Sequence, residues 1–173
     1  MCQLLYSCSC ITILSTTISR ANETALTDAI SLAKSTYQQI DGLVLNAGIL
    51  DPFGNIGGYP SLAAWKHHFD VNFFSLITAL KAALPSLRQS NMGGRVVFIS
   101  TGSAMKASPG IAPYGASKAA MNSLCRCVNS PHGCIQNRSY GDLSRSLAEE
   151  EPSIVSVALR PGMVDTDVSQ SSQ

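Results

Sequence analysis

Apolar residues along the chain recur in two rhythms. Short unbroken runs of aliphatic and β-branched residues alternate with longer stretches in which they return every three or four positions. The first rhythm predicts strands buried in a sheet, the second amphipathic helices. Ile11–Leu14 is the first short run and predicts a strand. Asn22 is placed to cap a helix, and Leu26, Ala29, Ile30, Ala33, Tyr37 and Ile40 follow at helical spacing. After Asp41-Gly42, the run Leu43-Val44-Leu45 predicts a strand buried on both faces. It ends at Asn46-Ala47-Gly48, where small residues let backbone approach a ligand closely.

Residues 51–60 hold two prolines and three glycines and predict a loop. Ser61 caps a long helix whose apolar stripe is Leu62, Trp65, Phe69, Phe73, Ile77, Leu80 and Leu84. Pro85 should kink or end it. His67 and His68 are neighbours on that helix and cannot both face one site, so both read as surface or edge residues. A turn at Asn91–Gly94 leads into the clearest strand, Arg95–Ser100. A loop from Thr101 to Pro113 precedes a helix carrying Tyr114, and the last strand is Ile154–Leu159, closed by Arg160-Pro161-Gly162. Alternating helices and buried strands predict an α/β fold, a Rossmann-like, doubly wound parallel sheet. Ligands of such sheets sit beyond the carboxyl ends of the strands. Asn46, Thr101 and Pro161-Gly162 all fall at such ends.

Size and charge narrow the partners. The 173 residues suit one domain with a real core, and 45% apolar content is not that of a disordered chain. A net charge of +1 gives no electrostatic reason to expect nucleic acid or an anionic membrane. No apolar run is long enough to span a bilayer. Residues 1–19 carry no charge, and the first basic residue is Arg20, so this stretch is not expected to be a secretory signal. A cytoplasmic chain is the expectation. The six cysteines form no disulfide framework for a chain of this size. Cys125, Cys127, His132 and Cys134 match no usual zinc spacing, so no metal is expected.

One stretch carries chemistry. Tyr114-Gly115-Ala116-Ser117-Lys118 places a phenol and an ammonium four residues apart, on one face of a helix. A cation beside a phenol favours phenolate, and a Tyr tuned in this way exchanges a proton near neutral pH.

The ordered set Leu45-Asn46-Ala47-Gly48, Asp70-Val71-Asn72, Ile99-Ser100-Thr101-Gly102-Ser103, Tyr114–Lys118 and Arg160-Pro161-Gly162-Met163-Val164-Asp165-Thr166 resembles the short-chain dehydrogenase/reductase family. The resemblance covers roughly residues 22–126 and 146–168. It implies hydride transfer between NAD or NADP, with NADP favoured, and a small-molecule carbonyl or secondary alcohol. Tyr114 would be the proton donor or acceptor. Lys118 would lower the Tyr114 pKa and hold the nicotinamide ribose, and Asn72 would bind a relay water. Asn46 would lie under the cofactor, with Ala47 and Gly48 beside it. Pro161, Gly162 and Thr166 would border the nicotinamide. The family also implies a homodimer through the two long helices.

Three departures stand out. The family's catalytic serine, thirteen residues before the tyrosine, is Thr101 here, flanked by Ser100 and Ser103. Threonine keeps the hydroxyl that bonds a substrate oxygen but crowds the pocket, so reduced activity is expected. The family's opening strand, Gly-rich turn and helix are not legible, since no glycine precedes Gly42. The chain thus reads as a single partial domain over residues 1–173 with an atypical segment 1–20. Third, Pro131 and Gly133 break the Tyr114 helix. Excising residues 127–145 brings Leu147 to i+4 of Leu124, whereas uncut they lie about 140° apart around a helix. Residues 127–145 are therefore read as an insertion or a translated retained intron. The chain also stops at Gln173, before the family's substrate-binding segment. The expected function is an NAD(P)-dependent oxidoreductase, and the alternative is a weak or inactive fragment that binds cofactor poorly.

Overall fold

The structure, a computed structural model, describes residues 10–13 (as backbone), 23–58, 61–106, 108–125, 151 and 153–161. Four strands form one parallel sheet in the order β1-β2-β3-β4. They are β1 (Cys10–Ile13), β2 (Gly42–Leu45), β3 (Gly94–Ile99) and β4 (Ile154–Leu159). Helix α1 (Glu23–Tyr37) joins β1 to β2, and Gln38, at a left-handed φ of 64°, closes it. Between β2 and β3 lie α2 (Leu62–Phe69), a π-helical turn at Asp70–Phe74, and α3 (Ser75–Leu87). Helix α4 (Ala112–Cys125) follows β3. Ser61 caps α2, accepting from the Ala64 N–H at 3.3 Å. Pro85 lies inside α3, which ends two residues later at Leu87. The insertion read at 127–145 and the Asn22 cap lie outside the described residues.

Strand order runs one way, so right-handed crossovers place the helices on one face of the sheet. That face holds the core. Leu43, Leu45, Val96 and Phe98 pack there with Leu26 and Ile30 of α1, Ala79 and Ala83 of α3, and Met121 of α4. Each fully buried Leu or Phe contributes roughly 2–3 kcal/mol. Register pairs Val44 with Val97, and Val97 with Val157, on the opposite face. No described helix covers these three, which are half-buried, while Val155 is 54% and Leu159 50% exposed. The expectation that β2 is buried on both faces therefore holds for Leu43 and Leu45 but not for Val44. The described part is one wing of a Rossmann-like sheet, with no reversal of strand order within it.

The stripe expected along the long helix is also corrected. Leu62 is 70% exposed, and Trp65, Phe69, Phe73 and Ile77 are only half-buried. Of the stripe, Leu80 is buried and Phe73 and Leu84 pack against the core, but the buried face is completed by His68, Val71, Asn72, Ser75, Leu76, Ala79 and Ala83. A π-turn inserts an extra residue into the helical repeat and shifts the phase between α2 and α3. The apolar side left outside borders a groove of about 500 Å³ lined by Leu62, Trp65, Lys66, Phe69, Asp70 and Phe74. Among the described residues no helix is long and apolar enough to cross a membrane.

Candidate active site

The carboxyl ends of β2 and β3 meet the first turns of α4. Pro113 sits in the first turn of α4, where a missing N–H costs nothing, and the helix presents Tyr114, Ser117 and Lys118 toward the sheet edge. Close packing here needs Gly115, because a Cβ at that position would lie 2.8 Å from the Ser103 carbonyl oxygen. Ser103 belongs to a short 3₁₀ turn, Gly102–Ala104, capped by Thr101, whose Oγ1 accepts from the Ser103 N–H at 3.4 Å. Thr101 thereby stands at the end of β3, and its hydroxyl acts on the Tyr114 phenol, favouring the phenolate.

Lys118 is 3% exposed. Its Nζ donates to the Ile99 carbonyl at 2.9 Å and lies 6.0 Å from the Tyr114 ring centroid. Burial lowers its pKa from 10.5 to about 8. The Tyr114 phenol moves the other way. Burial raises its pKa, and the Thr101 hydroxyl opposes this. The Lys118 ammonium reaches past the ring to a backbone carbonyl, and desolvation is the larger influence on the phenol.

Asn72 lies in the π-turn and is fully buried. Its Oδ1 accepts from the Ile49 N–H at 2.7 Å and its Nδ2 donates to the Ile49 carbonyl at 2.9 Å. Nδ2 also contacts His68 Nε2 at 2.8 Å and the Ser117 hydroxyl at 3.4 Å. The Ser117 hydroxyl donates to the Tyr114 carbonyl at 2.9 Å. The surface reading fits His67, which is exposed, but not His68, which is wholly buried in this network. The sequence signal was available: His68 precedes Asn72 by one i, i+4 step, so the two share a face.

Asn46 follows β2 directly and is exposed, Ala47 is buried, and Gly48 is half-buried. A Cβ at Gly48 would come within 3.5 Å of Lys118 Nζ and 3.6 Å of Asn72 Oδ1, so the absent side chain keeps that space open. Pro161 is exposed just beyond β4. Gly162 and Thr166, and the cysteines and histidine at 127, 132 and 134, lie outside the described residues. The structure thus brings together Asn72, Thr101, Tyr114 and Lys118 beside the Asn46–Gly48 turn, and adds His68, Ser117 and the Ile49 backbone.

Comparison with known proteins gives the family of the chain. The family described as short chain dehydrogenase matches residues 8–134. The chain belongs to the short-chain dehydrogenase family. An oxidoreductase of Schizosaccharomyces pombe is 37% identical over 138 residues, which span 80% of this chain and 47% of that protein. The benzil reductase ((S)-benzoin forming) of Saccharomyces cerevisiae is 34% identical over 140 residues, 78% of this chain and 46% of its own. The crystal structure of a Saccharomyces cerevisiae short chain dehydrogenase/reductase superposes with a TM-score of 0.71 at 31% identity, covering 87% of this chain and 51% of that one. This short-chain dehydrogenase chain spans about half the length of the relatives it matches. The family match begins inside the segment read as atypical and stops inside the one read as an insertion.

Proposed function

We propose that this chain carries the proton-transfer half of an NAD(P)-dependent oxidoreductase that reduces a carbonyl or oxidises a secondary alcohol. The observation that carries the reading is the seating of Lys118, a buried ammonium behind a tyrosine influenced by Thr101 at the carboxyl edge of a parallel sheet. Burial keeps the phenol protonated at neutral pH, which loads it as an acid in the direction of carbonyl reduction. In that direction Tyr114 gives its proton to the substrate oxygen, which the Thr101 hydroxyl orients. A bound reduced nicotinamide supplies the hydride to the carbonyl carbon, and in alcohol oxidation both transfers reverse.

The residues present fit the nicotinamide-ribose end of such a cofactor. The space beside Gly48 leads to Lys118 Nζ, an ammonium with three donors, which suits ribose hydroxyls. Asn46, Ala47, Gly48, Pro161, Gly162 and Thr166 would border the same group. Asn72 spends both ends of its side-chain amide on Ile49, so a relay water there would use the main chain of the π-turn rather than the side chain. NADP is preferred over NAD on family resemblance. The groove along α2 and the π-turn suits the homodimer that the family implies.

Titration with NADPH and then NADH, followed by fluorescence, tests cofactor binding, and benzil is the first carbonyl probe because a relative is named for it. Saturable binding with benzil reduction supports the proposal. A folded protein that binds neither nucleotide refutes it.

A further inference from the structure

Among the described residues, His68 is the one buried titratable side chain next to the Tyr114–Lys118 pair that the proposed chemistry does not use. Its hydrogen bonds favour one state of the ring. A backbone carbonyl can only accept, so the Nδ1 atom 2.5 Å from the Asp51 oxygen carries the ring proton. The Asn72 amide is pinned in the same way. The Ile49 N–H requires Oδ1 on one side and the Ile49 carbonyl requires Nδ2 on the other. Nδ2 therefore donates to His68 Nε2, which must be unprotonated.

We infer that His68 is a positioning residue for the Tyr114–Lys118 site, and that its neutral Nδ1–H form latches the Ile49–Asp51 loop to the π-turn and to α4. The inference rests on the proposed function for its link to turnover, while the latch itself stands on these hydrogen bonds alone. The loop follows directly from the Asn46–Gly48 turn and so sets the floor beside Lys118. On the α4 side, Ser117 Oγ lies 3.2 Å from His68 Nε2, and the Tyr114 ring meets the imidazole edge-on at 6.3 Å.

A proton on Nε2 would face the Asn72 amide hydrogens, donor against donor. Flipping Asn72 to relieve this would break both bonds to Ile49. Only the Ser117 oxygen remains as an acceptor. The charged groups around the ring are Lys118 on α4, His67 on its own helix and the Asp51 carboxylate, with the Tyr114 phenol beside it. Burial is the largest influence and disfavours the imidazolium, and Lys118 and His67 act in the same direction. The latch is thus complete above the ordinary histidine value of 6.5 and weakens as pH falls through the lower folded value.

Hydrogen exchange on the full chain, without substrate or cofactor, tests this. In His68→Leu the Ile49 amide should exchange about tenfold faster, the weight of one hydrogen bond, while β3 core amides keep their rates. His68→Gln, whose amide can donate to Asp51 and accept from Asn72, should restore most of the protection. Wild-type Ile49 should lose protection at acid pH beyond the intrinsic pH dependence of exchange, and His68→Leu should not. An unchanged Ile49 rate in His68→Leu overturns the latch. So does an equal loss at Ile49 and β3 in both variants, which would mark His68 as core filler. If the leucine variant fails to fold, nitrogen NMR of the wild-type imidazole decides: an Nδ1–H tautomer supports the latch and an Nε2–H tautomer refutes it. With benzil turnover in hand, His68→Leu should lower kcat more than it raises KM. Absent wild-type turnover would refute the proposed function and leave the exchange result standing.

Discussion

The two ends of the sheet both carry polar networks, and they differ in what surrounds them. At the amino end, the Asp41 carboxylate accepts from Ser90 Oγ at 2.5 Å and from the Gln39 amide, and Asn91 bonds Gln39 at 3.2 Å. Arg95 N–H closes the same corner on the Asp41 carbonyl at 2.9 Å. Gln39 is half-buried there and Asn91 is exposed. At the carboxyl end, His68, Asn72, Ser117 and Lys118 are all at most 3% exposed. Asp41 is itself buried, but water reaches its half-buried partners Gln39 and Ser90 and the exposed Asn91, whereas it reaches almost none of the side chains of the second network. The first therefore ties a turn, whereas the second holds groups with shifted proton affinities, at the expense of desolvating them.

The largest effect should fall on chemistry. Tyr114→Phe removes the hydroxyl proposed to exchange a proton with the substrate oxygen. With benzil and NADPH, turnover should drop about 10²–10⁴-fold while nucleotide affinity stays nearly unchanged. Steady-state kinetics with a parallel fluorescence titration checks this, and unchanged turnover would remove Tyr114 from the mechanism.

Stability should separate the two ends next. Asn72→Ala strips a fully buried amide and orphans the Ile49 backbone groups, a loss of roughly 3 kcal/mol. Asp41→Ala at the amino end should cost about 1 kcal/mol, because water can reach the polar groups left behind. Urea unfolding of the two variants makes the comparison, and equal losses would mean that burial does not distinguish the networks.

Lys118 should show the opposite sign. Its charge is held in the interior against a pKa shift from 10.5 to about 8, a penalty of about 3 kcal/mol below pH 8. Lys118→Met removes that penalty and forfeits the bond to Ile99, so the fold should gain about 1 kcal/mol while turnover is lost. In the wild type the unfolded chain binds the extra proton between pH 8 and 10.5, so stability should rise with pH across that window through this group. Thermal melts of wild type and variant at pH 7 and 10 read the difference.

How much of this was legible in the sequence follows from the same contrast. β2, β3, β4 and α1 were readable because short apolar runs and a 3.6-residue repeat survive intact in them. The Tyr114–Lys118 pair and Thr101 were readable because both depend on fixed spacing along one helix and one strand end. His68 was missed despite its i, i+4 step to Asn72, because the residues around it form an apolar stripe that points elsewhere, and the π-turn at Asp70–Phe74 shifts the phase where that stripe should meet the core. Periodicity assumes one repeat throughout a helix, and an inserted residue breaks the assumption where Asn72 enters the site. The half-exposed face of β2 was hidden too, since Val44 looks like Leu43 and Leu45 until strand order shows where the helices pack.

The smallest effect should come from the ion pair between Arg88, beyond the end of α3, and Glu151, ahead of β4. Its Nε–Oε2 bond is 2.7 Å, with a second contact from Nη2 to Oε1. The fork geometry is good, but the Arg88 side chain is 52% exposed and solvent screens the charge. The Arg88 hydrogen bond, ahead of other influences, holds the Glu151 carboxyl below its ordinary range. Its contribution is therefore present at neutral pH and fades as pH falls through that lowered value. Glu151→Gln should shift the melting temperature less than Asp41→Ala does, and 1 M salt should erase most of the shift. A loss as large as that of Asn72→Ala would mean that the pair anchors β4 as firmly as the buried network anchors α4, and would undo the distinction between the two ends of the sheet.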